Sequence, residues 1–379
     1  MIDTVILTIE RDKFRSLLGN NIPQWELHSK RKGYSKVVRN QNSYQKKDGI
    51  YRPRIRGITR GRTKFMQIEF SIPKLILGNN LEEVTETDFK NVIDTLRQRL
   101  VDLGIVISNK ELREASVSSF HPSKNIILKE GYTSSYIIKE LNKINLTKKL
   151  DLNKDSFRNE GQSLQCYSNS HSLVIYDKMQ DLIKHEKRAI DKDQTSNQLS
   201  LFDELSAERK PDEVLRLEVR LSRKVKMNQI LKKLGYKTGP TFEDIFKKDI
   251  CQKIVQHYWE TIIENENLFL FGIEKTPKKL LSDILSEVEP VKAKQAIYLV
   301  GLSVLCKEKD GIRDLRNVVS GSISNRGWYR IATDIKSLNH IKSAQKDPWF
   351  IHIEKTLKNF GHLRVRDGPE KELVEITNK

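Results

Sequence analysis

The sequence predicts an α+β protein, with an antiparallel-sheet domain over residues 1–224 followed by an all-α accessory domain over residues 225–379. Three observations carry this. Alternation of period two, the mark of a half-buried strand, recurs at residues 4–9, 65–72, 172–178 and 214–222. The last is the cleanest: Leu215, Leu217, Val219 and Leu221 fall on one face, Arg216, Glu218 and Arg220 on the other. From Met227 onward, apolar residues recur at helical spacing instead.

Taken in order, Val5, Leu7 and Ile9 alternate with Thr4, Ile6 and Thr8, and Asp3 stands inside this opening strand. Residues 30–62 are strongly basic and broken by Gly33, Gly49, Pro53, Gly57 and Gly61, which predicts loop and hairpin. Met66, Ile68, Phe70 and Ile72 alternate with Phe65, Gln67, Glu69 and Ser71 as a second strand. Phe89, Val92, Ile93, Leu96, Leu100 and Leu103 keep the 3.6-residue period of a helix, which Gly104 ends. Residues 117–121 and 125–128 read as two short extended pieces, and 132–144 as a helix.

Residues 172–178 set Leu173 and Ile175 against Val174, Tyr176 and Lys178, and the run before them, around Tyr167, reads as loop. Between the last two strands, about 186–212, lies a polar insertion. Thr241 with Asp244 predicts a capping box opening a helix over 242–263. Further helices are expected at 277–287, 292–307, 312–318 and 324–338.

The chain has 379 residues, room for two or three domains. Its 68 Lys and Arg outnumber 50 Asp and Glu, leaving a formal charge of +18 that points to a polyanionic partner. No run of 18 apolar residues predicts a membrane span, and the first residues do not read as a signal peptide. Cys166, Cys251 and Cys306 are far apart and show no CxxC spacing, so neither a disulfide framework nor a zinc ribbon is indicated. The expected location is the cytoplasm. No GxxxxGK[ST] and no strand-borne GxGxxG is present, so nucleotide-consuming chemistry is not expected.

Glu69, Tyr176, Lys178, Arg216, Glu218 and Arg220 all fall on polar strand faces. Such a set suits metal-assisted phosphoryl transfer: acidic or imidazole groups hold Mg²⁺ or Mn²⁺, a Tyr hydroxyl attacks phosphorus, and Lys or Arg stabilises the developing charge. It suits equally a solvated face with cross-strand Glu–Arg pairs. His121, followed by Pro122, is either a surface residue or a third metal ligand. Arg52, Arg54, Arg56, Arg60 and Arg62 form a basic ribbon suited to phosphate contacts, with Arg220 beside the acidic site. Arg326 and Arg330, with Trp328 and Tyr329, follow the turn at Ser320, Gly321 and Ser322 and suit a helix-turn-helix reader; the two aromatics suit a core equally.

Five segments in one order carry a resemblance: MIDTVILTI at the start, FMQIEFSIPKLILGNN from Phe65, SVSSFHPSKNI from Ser116, HSLVIYDK from His171 and VLRLEVRLSRK from Val214. Together they resemble the phage and plasmid rolling-circle replication initiators of the filamentous-phage gene II type, over roughly residues 1–260. The resemblance implies an enzyme that nicks one strand of supercoiled origin DNA, stays joined to the 5′ phosphate through Tyr, and rejoins the displaced strand. It implies dependence on Mg²⁺ or Mn²⁺ and on host helicase and polymerase.

By resemblance Tyr176 is the nucleophile, Lys178 neutralises the scissile phosphate, Glu218 is a metal ligand and Glu69 a weaker one; from the residues themselves, Arg216 joins Lys178 in stabilising the phosphate and His121 is the candidate third ligand. The relatives would carry Asp where His121 stands. Tyr167 is a rival nucleophile. The alternative is a non-catalytic origin-binding protein or repressor. Separately, Gln198, Leu199, Ser200, Leu201 and Phe202 match the pentapeptide with which bacterial proteins dock on the polymerase sliding clamp, or else begin a short helix packed on the protein itself.

Overall fold

The computed structural model describes residues 1–20, 22–144, 154–158, 162–183, 212–264, 268–288, 291–308, 311–341, 345–366 and 372–377. Its strands are β1 (Ile2–Glu10), β2 (Arg15–Ser16), β3 (Glu26–Arg31), β4 (Tyr34–Arg39), β5 (Arg54–Arg60), β6 (Thr63–Ser71), β7 (Ile105–Val106), β8 (Ser116–Ile127), β9 (Lys154–Arg158), β10 (Ser163–Tyr167), β11 (His171–Asp177), β12 (Val214–Leu221), β13 (His362–Arg366) and β14 (Glu372–Ile376). Ten of them, among the described residues, form one sheet in the order β3-β4-β5-β6-β1-β8-β12-β11-β10-β9, with every pairing antiparallel. The fold is α+β.

The basic stretch predicted as loop and hairpin is two hairpins, β3–β4 and β5–β6. Each turns through a glycine with positive φ, Gly33 at 71° and Gly61 at 57°, where a side chain would be strained. The two short pieces expected around Pro122 are one strand, β8. Proline has no N–H to give a ladder, but Pro122 pairs with Ile2 where the β1–β8 register shifts, so the missing donor falls at an irregularity.

One face of the sheet is apolar. Val5, Leu7 and Ile9 of β1, Met66, Ile68 and Phe70 of β6, and Leu215, Leu217, Val219 and Leu221 of β12 are all buried there. The helix Phe89–Asp102 buries Val92, Ile93, Leu96 and Leu100 in the same core. So does Lys248–Trp259, with Ile250, Ile254, Val255, Tyr258 and Trp259. The helices that follow β12 therefore share a core with the sheet, across the boundary expected at residue 224.

The helix expected over 242–263 is in three parts. Thr241 and Asp244 do form a capping box, but it opens only Phe242–Ile245; Lys248–Trp259 follows, then a wider turn at Glu260–Glu264. Pro277–Glu287, Ala293–Lys307, Gly311–Val319 and Asn325–Ser337 lie where helical periodicity placed them. The segment expected to be all-α also contains the helix Pro348–Asn359 and ends in the β13–β14 hairpin. That hairpin packs Leu363 and Leu373 against Leu81, Met179, Leu182 and Val214. No helix among the described residues is long and apolar enough to cross a membrane.

Candidate functional site

The opposite face of the sheet is polar where β8, β12, β11 and β10 run side by side. Register places Asn125, Arg216, Tyr176 and Ser163 in one row, and Ser123, Glu218, Val174 and Gln165 in the next. The third row holds Arg220, Ser172 and Tyr167, with His121 two residues before Ser123 on the same face. The period-two pattern of β12 thus positions three charged side chains in a line, and β11 adds a phenol beside them.

Glu218 is the centre. Its Oε1 accepts from Arg220 Nε at 2.8 Å and lies 3.3 Å from His121 Nδ1. Its Oε2 accepts from the Tyr176 hydroxyl at 3.2 Å, with Arg216 Nε 4.0 Å away. Burial opposes ionisation of Glu218, but Arg220, His121 and Arg216 together hold its carboxyl well below the usual range. Burial pushes the Tyr176 phenol upward, against the pull of Arg216, so it is a neutral donor to an ionised acceptor at neutral pH.

Arg216 is fully surrounded. It donates to Ser123 Oγ at 3.0 Å and to the Asn80 carbonyl at 2.8 Å, and its Nη2 lies 2.9 Å from Asp3 Oδ1. Asp3 also accepts from the Thr4 hydroxyl at 3.0 Å. Burial would raise the Asp3 pKa, yet Arg216 outweighs it and the net direction is down.

Lys178, expected on the strand face, is instead the first residue of the helix Lys178–Ile183. Its ammonium still stands 5.9 Å from the Tyr176 ring centroid, donating to Asn80 Oδ1 at 2.8 Å and Asp181 Oδ2 at 3.2 Å. Burial first, then Arg216, pulls its pKa well below that of an ordinary lysine. Tyr167, expected in a loop, ends β10 and points to the same face as Tyr176.

The structure brings together Tyr176, Lys178, Arg216, Glu218, Arg220 and His121. It does not bring Glu69, which sits on β6, three strand spacings or ~14 Å from β12, and is ion-paired to Arg56. Asp3 and Asn80 are the members that sequence reasoning missed. Asp3 left a signal, a carboxylate inside an otherwise apolar opening strand; Asn80 lies in the loop after Gly78, where no periodicity marks a side chain.

A divalent cation held by Glu218, His121 and Glu69 does not fit these residues. Glu69 is out of reach, and both Glu218 oxygens are bonded to side chains. The nearby Asp3 is countered by Arg216, so each carboxylate already has a guanidinium. Among the described residues, no group of three His, Cys, Asp or Glu is placed to hold a metal.

The basic ribbon divides. Arg52 is buried, bonded to Asp48 at 2.7 Å and 3.4 Å from Asp102, so it anchors its own loop and its charge is already paired. Arg54 and Arg56 are half-buried on the polar sheet face, while Arg60 and Arg62 are exposed at the β5–β6 turn. On the helix Asn325–Ser337, capped by Ser324, Trp328 is core, whereas Arg326, Tyr329 and Arg330 are exposed. The clamp-like pentapeptide Gln198–Phe202 lies outside the described residues. No protein-family model, curated protein or solved structure matches this chain.

Proposed function

We propose that this chain is a DNA strand transferase of the rolling-circle initiator kind, with Tyr176 as nucleophile. The observation that carries the reading is the Tyr176 hydroxyl donating to Glu218 on a sheet face that also holds Arg216, Arg220 and His121, with the Lys178 ammonium reaching in from the following helix. A phosphodiester seated there would have its charge opposed by guanidinium and ammonium groups. As the phenol oxygen bonds to phosphorus, its proton passes to Glu218. The P–O3′ bond breaks and the 3′ oxygen leaves as a hydroxyl, taking up one proton, so the site's protonation is restored. The phosphotyrosine keeps the energy of the cut bond, and reversal rejoins the strand without a nucleotide.

The five ordered sequence segments support the same reading, and so does the +18 charge. Host helicase and polymerase are the partners that it implies, with Gln198–Phe202 as the proposed link to the sliding clamp. The deciding experiment incubates the protein with supercoiled origin-bearing DNA, digests the product, and maps the nucleotide-linked residue by mass spectrometry. A second reading, an origin-binding protein or repressor without chemistry, is favoured by two features: the phenol is harder to ionise than usual, and the charges around it are already paired. Absence of any adduct under all conditions would select that one.

A further inference from the structure

At the other end of the polar sheet face, strands β3, β4 and β5 and the loop over residues 40–53 line a half-open cavity of about 550 Å³. Its lining includes His28, Lys36, Lys46, Arg54 and Arg56 and no Asp or Glu; Arg56 is paired to Glu69, and Arg52, also in the lining, to Asp48 and Asp102. A concave surface of net positive charge concentrates field and favours an anion. The volume falls in the ~300–1,000 Å³ range of small-molecule sites, large enough for one unpaired nucleotide and too small to take in a base pair with both its strands.

The wall is built to hold its shape. Asn42 and Gln45 bond each other reciprocally, side chain to backbone amide, at 2.8 and 3.2 Å. Gln45 Nε2 donates to the Asp102 carbonyl at 2.8 Å, and the Tyr51 hydroxyl accepts from the Ser71 amide at 2.7 Å. Arg52 is fixed by Asp48 and Asp102. A buried arginine therefore holds the loop rigid beside cations that are more exposed than itself, which lowers the ordering cost of binding. Tyr44, on the same loop, is 80% exposed and offers a ring for a base to stack on.

We propose that this cavity binds a single nucleic-acid strand, as a site distinct from the Tyr176 network. The proposal rests on the reading that the chain handles DNA. Arg54 lies on β5 and Tyr176 on β11, five strand spacings apart, ~24 Å along the sheet. The cavity therefore contacts nucleotides several positions from the one at Tyr176 and sets which strand is held, not the chemistry.

The test is fluorescence anisotropy of a labelled single-stranded oligothymidylate and of a mixed-sequence duplex of equal length, each across a salt series. The full chain is compared with Lys36→Glu/Arg54→Glu and with the milder Lys36→Gln/Lys46→Gln, with circular dichroism confirming the fold of each. The expected result is tighter single-strand binding by the wild type. The Glu double variant should weaken it at least ~10-fold, and its logarithmic salt slope should flatten by ~1.4, the value for two phosphates left unneutralised on a single strand. Unchanged single-strand affinity in both folded variants, or a loss confined to the duplex, overturns the proposal. The covalent-adduct assay on the same preparations separates the two ideas: single-strand loss in the variants with no adduct from wild type leaves the cavity proposal standing and removes the transferase reading.

Discussion

Tyr176 and Glu218 are diagonal neighbours across β11 and β12: Tyr176 pairs directly with Arg216, and its hydroxyl reaches two residues along to Glu218 Oε2 at 3.2 Å. A diagonal of this kind is within reach of an aromatic side chain, and it lets one phenol touch both an acid and the guanidinium beside it. Chemistry at phosphorus would use that hydrogen bond as the path for the proton.

Tyr176→Phe should therefore remove covalent adduct by at least ~10³-fold while leaving the protein folded, since one hydrogen bond to a charged group, about 1.5–3 kcal/mol, is lost. Tyr167→Phe should retain adduct. Gel-shifted protein–DNA adduct after denaturation reads both; adduct retained in the first and lost in the second would move the nucleophile to β10.

Glu218→Gln keeps a hydrogen-bond acceptor but removes the negative charge. Strand cleavage should fall ~10²–10⁴-fold, the range for a lost general base. DNA affinity should stay the same or tighten, because Arg216 and Arg220 then face the phosphate uncompensated. Thermal melting should also drop, since removing one partner of a buried ion pair costs about 3–5 kcal/mol. Weaker DNA binding by a folded variant would contradict the assigned role.

Because each carboxylate at the site already has a guanidinium, adduct formation should persist in EDTA to within a few-fold of its level with Mg²⁺ or Mn²⁺. Calorimetric titration with Mn²⁺ should show no stoichiometric site at Glu218 that the Glu218→Gln variant loses. Adduct seen only with metal would mean that Arg220 gives way to a cation.

Glu83 holds the rear of the site. It accepts from Lys124 Nζ at 2.8 Å, from the Asn125 amide at 2.8 Å and from the Leu363 amide at 3.0 Å. Burial would raise its pKa, but Lys124 and the amino terminus bring it down from 4.5 to about 2. A depressed folded pKa stabilises above the unfolded value and is lost on acidification. About 3 kcal/mol should thus disappear as pH falls from about 5 to 2. Chemical denaturation of Glu83→Gln should show a flatter dependence over that window; an identical slope would refute the assignment.

The pentapeptide is tested by pull-down. Changing Leu201 and Phe202 together to Ala should abolish capture of a bacterial sliding clamp by the full chain, leaving DNA affinity unchanged. Equal capture would dismiss the clamp as partner.

Much of the sheet was legible because strand periodicity is strict. Two residues per repeat put Arg216, Glu218 and Arg220 on one face and the leucines and valine on the other, and the fold keeps that division. The residues joining the site across long stretches of chain were not legible. Asn80 reaches Lys178 and Arg216 from a loop, and Asp3 reaches Arg216 from β1, meetings that only strand order can create. Charge density likewise marked the basic ribbon as a unit. Burial separates it: Arg52 spends its charge on Asp48 and Asp102, while Arg54 and Arg56 line a cavity.

The β13–β14 hairpin is bonded to Glu82 and Glu83. It also packs on Met179, next to Lys178, and on Leu182, one turn beyond it. Asn80, two residues before Glu82, holds both Lys178 and Arg216. Cutting the chain after Phe360 would therefore act as a lesion at the polar face, loosening two cations from behind without touching either. Dissection of this protein into an N-terminal sheet fragment would remove a buttress of the very centre it set out to isolate.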